Sequence, residues 1–143
     1  METVLERSYG VDEVETIALE LKNLLPRCSV ITFQGSLGAG KTTLVRALLR
    51  ACGVNEVITS PTFTYVNSYQ NDKGESFYHF DCYRLDSAQA FLDQGFEEYL
   101  YVPNSWAFIE WPEVIESLLK TGVCTVILDY EGSENRRIKV LLS

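Results

Sequence analysis

The segment FQGSLGAGKTT, residues 33–43, places Gly35, Gly40, Lys41 and Thr42 in the spacing G-x-x-x-x-G-K-[ST]. At ordinary residue frequencies this pattern arises by accident in roughly 0.5% of chains of this length. Its chemistry is that of a phosphate cradle. The glycines let the main chain turn its N–H groups inward, and the helix that follows adds the positive end of its dipole. Ser36, Leu37, Gly38, Ala39 and Gly40 would wrap the phosphates, Lys41 would reach the β- and γ-phosphates, and Thr43 the α-phosphate. The Thr42 hydroxyl would bind Mg²⁺. The bland alternative is a glycine-rich turn without ligand.

Such a loop works with a carboxylate on a neighbouring strand that holds the ion or its water. WAFIE is an apolar run ending in Glu110, and FYHFD ends in Asp81. Period-two alternation puts Phe77, His79, Asp81 and Tyr83 on one face. Glu110 is assigned to the metal, and Asp81 to the metal's water or to the attacking water. Each acid has a plainer reading as a solvated strand end. His79 is a general base by residue type or a packed, hydrogen-bonded side chain by context. Thr62 of SPTFTY stands where a switch loop would sense a γ-phosphate, or simply in a turn before a strand.

These residues need a sheet edge and a helix to hold them. Residues 28–34 read as an apolar strand and residues 41–52 as a helix with Leu44, Leu48 and Ala51 on one face. Before them, Val14, Ile17, Ala18, Leu21 and Leu25 have helical spacing; Asp12 and Glu15 could form a capping box, and Pro26 ends the helix. Two aromatic stretches flank NDKG as a hairpin. Residues 87–100 suggest one or two short helices, SWAFIEW a buried strand, and PEVIESLLK a helix opened by Pro112. CTVILDY and RRIKVLLS form a last strand pair; in the second, Ile138, Val140 and Leu142 alternate with wetter positions. The expected fold is a single α/β domain over residues 1–143, three-layered and P-loop NTPase-like, with a mixed central sheet.

Composition narrows the functions. With 12 basic and 20 acidic residues the net charge is −8, against a chain that grips a nucleic-acid backbone by itself. The four cysteines are dispersed and, with a single histidine, form no zinc pattern. Buried, reduced thiols are expected. Neither a secretory leader nor a membrane span is legible, so the expected location is the cytoplasm.

Taken together and in order, GSLGAGKTT, SPTFTYVNSY, YHFDCYRL, GFEEYL and IEW resemble the bacterial TsaE (YjeE-type) ATPases. The resemblance implies a P-loop ATPase of low intrinsic rate acting in threonylcarbamoyl modification of adenosine 37 in tRNA. It further implies docking on an assembly of TsaD- and TsaB-type proteins, with tRNA met only through that assembly. Asp81 of HFDCYR is then needed for catalysis, Thr62 lies in a switch-like loop, and Trp111 sits beside the nucleotide, with Glu13 and Arg136 as further nucleotide contacts. A small-molecule kinase is the main rival; it would need an arginine-bearing lid, and the arginines at 7, 27, 46, 50, 84, 136 and 137 form no such cluster in sequence. A GTPase-type switch is the second rival, but no Asn is followed by Lys to give N-K-x-D, and D-x-x-G occurs only at Asp129. A protein that binds nucleotide without hydrolysing it is the third.

Overall fold

The computed structural model describes residues 1–61 and 64–143. A seven-stranded sheet runs through it in the order β1-β7-β6-β2-β5-β4-β3. Its centre is parallel: β2 (Val30–Gln34) lies between β5 (Ser105–Glu110) and β6 (Val123–Glu131), and β4 (Ser76–Asp81) extends the sheet beyond β5. The edges are antiparallel, with β3 (Val66–Gln70) on β4, β7 (Asn135–Leu142) on β6, and β1 (Glu2–Gly10) on β7.

Two helices, α1 (Val14–Lys22) and α2 (Lys41–Ala51), cover one face. Ile17, Ala18 and Leu21 of α1 and Leu44, Val45, Leu48 and Leu49 of α2 bury there against Ile31, Phe33, Phe77, Phe108, Val126 and Val140. The rings of Phe33 and Phe77 both meet that of Phe108, at centroid distances of 6.4 and 5.8 Å. Each such fully buried side chain is worth about 1.5–3 kcal/mol. The opposite face of β2, β5 and β4 is covered by α3 (Ala88–Asp93) and by 3-10 segments at Phe96–Tyr99 and Pro112–Leu118. There Phe80 packs on Phe91 and Phe96, beside Ile109 and Ile115. The three layers expected from sequence are present.

Several local expectations change. The first ten residues hold a strand where none is expected from sequence: β1 carries a register irregularity between Thr3 and Leu5, so its apolar residues do not alternate. No Asp12–Glu15 capping box forms. A 3-10 turn, Val11–Glu13, precedes α1, and the Gly10 N–H donates to Glu13 Oε1 (3.0 Å). Helix α1 ends at Lys22, ahead of Pro26, which sits in its own 3-10 turn. The segment opened by Pro112 is 3-10 and not α-helical. The hairpin at NDKG forms as expected, closed by Gly74 N–H to Asn71 O (3.1 Å) and Asn71 N–H to Glu75 O (3.2 Å). All four cysteines are buried and free.

Candidate nucleotide site

Register decides what meets at the sheet's carboxyl edge. Phe33 lies opposite Glu110, and Glu110 opposite Asp81, so one row crosses three parallel strands from the start of the glycine-rich loop to both acids. Ligands in open α/β sheets bind outside this edge. A cleft of about 270 Å³ opens there, lined by Leu37, Gly38, Gly40, Lys41, Thr42, Thr43, Asp81, Tyr83, Glu110 and Trp111.

Two glycines set where the loop begins and ends. Gly35 turns the chain out of β2 at φ +146°, and a Cβ there would stand 2.3 Å from Leu128 O on β6. Gly40 caps α2 in the left-handed region (φ 98°, ψ 18°). Beyond it, the first N–H groups of α2 have no intrahelical acceptor by construction and belong to residues that line the cleft.

Lys41 is only 5% exposed. Its ammonium donates to the Gly35 and Ser36 carbonyls and lies 3.9 Å from the centroid of the Trp111 ring. Burial pulls its pKa down, while Glu110, Glu113 and Asp81 pull it back up. Trp111 holds φ 56°, ψ 58°, a left-handed conformation that costs a tryptophan of order 1–3 kcal/mol. Its ring packs against Tyr83 at 4.8 Å. Two aromatic rings thus wall the side of the cleft that holds the lysine.

The Thr42 hydroxyl donates to Glu110 Oε1 at 2.7 Å, and His79 Nε2 lies 2.6 Å from Glu110 Oε2. Glu110 is 2% exposed. Asp81 Oδ1 accepts the Tyr83 N–H (3.0 Å). Burial raises the Asp81 pKa, the Tyr83 bond opposes that, Glu110 adds to it, and His79 and Lys41 oppose it.

A second hollow of about 120 Å³ shares Gly40 and Thr43 with the cleft and continues between Tyr9, Val11 and Val14 on one side and Glu134 and Arg136 on the other. The Arg136 guanidinium lies over the Tyr130 ring at 4.4 Å, and the Tyr130 hydroxyl donates to Leu37 O at 3.3 Å. Arg136 therefore lines the hollow that adjoins the cleft. Glu13 does not line either space; it pairs with Arg7 and accepts the Gly10 N–H, bracing the turn before α1. Thr62 lies outside the described residues. Sequence reading missed the wall built by Tyr9, Val11 and Val14, because β1 was not legible as a strand, and it missed the His79–Glu110 pairing.

A hydroxyl and a carboxylate are hard oxygen donors of the kind Mg²⁺ takes, in small number, alongside phosphate oxygens and water. Among the described residues no group of three or more His, Cys, Asp or Glu side chains could hold a metal by itself. Among them, too, no helix is long and apolar enough to cross a membrane.

Comparison with known proteins bears on the family and the fold. Residues 9–138 match the family model described as threonylcarbamoyl adenosine biosynthesis protein TsaE. The chain is 40% identical to the tRNA threonylcarbamoyladenosine biosynthesis protein TsaE of Treponema pallidum (strain Nichols), over 82% of this chain and 84% of that one. It is 34% identical to the TsaE of Aquifex aeolicus (strain VF5), over 97% and 92% of the two chains. Among solved structures, the crystal structure of Bacillus subtilis YdiB superposes with a TM-score of 0.72 at 25% identity, covering 98% of this chain and 86% of that one. With a phosphate-type loop, an apposed buried acid and a family match across nearly its whole length, the chain belongs to the TsaE family.

Proposed function

We propose that this protein binds ATP with Mg²⁺ in the cleft and hydrolyses it slowly, as the ATPase of threonylcarbamoyl modification of adenosine 37 in tRNA. The observation that carries the reading is the meeting of Thr42 and Glu110 at 2.7 Å beside a buried lysine held on the loop's own carbonyls. By donating its hydrogen to Glu110, Thr42 leaves its oxygen lone pairs turned to other partners, as a metal-binding hydroxyl must. The bound ion would neutralise charge between the β- and γ-phosphates.

The chain's own residues supply the rest. Lys41 leaves the Gly35 and Ser36 carbonyls for phosphate oxygens, and the first turn of α2 donates N–H groups to the same anion. Asp81, held by the Tyr83 N–H, stands across the cleft to orient the attacking water. The base fits the second hollow, where Tyr9, Val11 and Val14 offer apolar contact and Arg136 a flat cation. The output is work on partners, an assembly of TsaD- and TsaB-type proteins through which tRNA is met. The cytoplasm is the corresponding location.

Phosphate release measured alone, with the partner pair, and with the pair and tRNA tests this. Strong stimulation by the assembly is expected. Indifference to all additions would leave a generic nucleotidase, and transfer of labelled phosphate to a small acceptor would identify a kinase instead.

A further inference from the structure

His79 is 0% exposed, is the chain's single histidine, and does not line the cleft. It lies opposite Phe108 while Asp81 lies opposite Glu110. Glu110 is therefore its diagonal neighbour on the same sheet face, within reach of a long side chain. The imidazole spans that diagonal to bring Nε2 within 2.6 Å of Glu110 Oε2. Among the described residues its other nitrogen, Nδ1, has no hydrogen-bond partner and is buried.

An apolar side chain beside Phe108 would avoid leaving a buried polar atom unpaired, which is costly. What the imidazole adds is a second hold on Glu110. Thr42 takes Oε1 and His79 takes Oε2, so the carboxylate is held from both oxygens and cannot turn freely about its last bond. We propose that His79 is a positioning residue that fixes the plane of the Glu110 carboxylate and thereby sets how tightly the site takes Mg²⁺ with nucleotide. This rests on the reading of Glu110 as the metal-side acid. An ionised carboxylate only accepts, so Nε2 carries the hydrogen and Nδ1 is left as a bare acceptor, the assignment that leaves no N–H unpaired.

Three variants and one spectrum test the proposal. Glutamine carries an N–H donor to about where Nε2 stands, asparagine stops short of it, and leucine has none. ATP affinity is measured calorimetrically in chelator, then with Mg²⁺ titrated in. His79→Leu and His79→Asn should need about 10–100-fold more Mg²⁺ to reach the tight-binding state, the usual cost of losing a group that orients a metal ligand. His79→Gln should stay within about threefold of wild type on the same scale. All three should keep the affinity seen in chelator, which also reports a folded site. In the metal-free wild type, long-range ¹⁵N–¹H correlation of the single histidine should show a hydrogen-bearing Nε2 and a bare Nδ1.

A wild-type Mg²⁺ requirement in His79→Leu would overturn the proposal. So would a glutamine variant as impaired as the leucine one, affinity lost equally in chelator, or the hydrogen found on Nδ1. If wild type gained nothing from Mg²⁺, the metal reading of Glu110 would fail first, and this role with it.

Discussion

The Thr42 hydroxyl and the Glu110 carboxylate meet at 2.7 Å, tying the first turn of α2 to the end of β5 across the mouth of the glycine-rich loop. Residues 68 apart in sequence converge because β2 and β5 are parallel neighbours with Phe33 in register with Glu110. On the proposed reading the contact joins a phosphate-binding half of the site to a metal-binding half, and separate chemical roles follow for each.

Glu110→Gln keeps the shape and removes the charge. ATP binding in chelator should change by no more than a few-fold, while hydrolysis with the partner assembly present should fall by about 100-fold or more, the usual scale for losing an electrostatic group in the transition state. Asp81→Asn should behave similarly, since its carboxylate also faces the cleft. Parallel calorimetry and phosphate release check both. Hydrolysis by Glu110→Gln at the wild-type rate would remove Glu110 from the metal.

The loop, both acids and the helix behind them were legible because each is a local signal: a fixed spacing, an apolar run ending in a charge, a helical period. What escaped depends on long-range pairing. β1 is an edge strand whose apolar residues, Val4 and Leu5, are consecutive across a register shift, so no alternation announces it. With β1 unseen, the Tyr9–Val11–Val14 wall could not be anticipated. His79 was visible on the right face, but its partner lies on the next strand two positions further along, and only the register of β4 on β5 selects it. The bracing role of Glu13 likewise follows from Arg7 on β1.

Trp111 should report nucleotide. Its ring is 3.9 Å from the Lys41 ammonium, which on the proposed reading leaves for phosphate. Trp106 is fixed elsewhere, its indole N–H shared by the Leu25 and Cys28 carbonyls at 2.9 and 3.0 Å. Titration with ATP should change tryptophan emission in wild type and leave it flat in Trp111→Phe. A signal surviving in that variant would place the change elsewhere.

Gly35→Ala should destabilise the fold as well as the site. The added carbon would meet main chain, Leu128 O at 2.3 Å, and so cannot be accommodated by a side-chain rotation. A loss of about 2 kcal/mol or more in urea unfolding is expected. At Gly40 a Cβ meets nothing within 4 Å, so Gly40→Ala should lose about 1 kcal/mol, the left-handed strain alone. Equal losses would mean that the strand contact is not what fixes the loop.

The buried thiols predict an alkaline limit to stability. Burial pushes Cys52 and Cys82 up from the ordinary 9.0 to about 12. Between those values the unfolded chain has released protons that the folded chain keeps, so stability is full below about pH 9 and falls as pH rises toward about 12. Urea midpoints across that range check the sign. Since the thiolate is the reactive form, a disulfide exchange reagent at pH 8 should leave Cys52 and Cys82 unmodified until the protein is unfolded.

Lys41→Ala tests the central claim most directly. The ammonium is the buried cation on which a triphosphate would be anchored. Calorimetry with ATP and Mg²⁺ should give saturable one-to-one binding in wild type. In the variant, the affinity should fall by about 100-fold or more, the scale of a lost charge-assisted contact in a dry site. Unchanged affinity in the folded variant, or no binding in wild type, would contradict the reading of the glycine-rich loop as the nucleotide site.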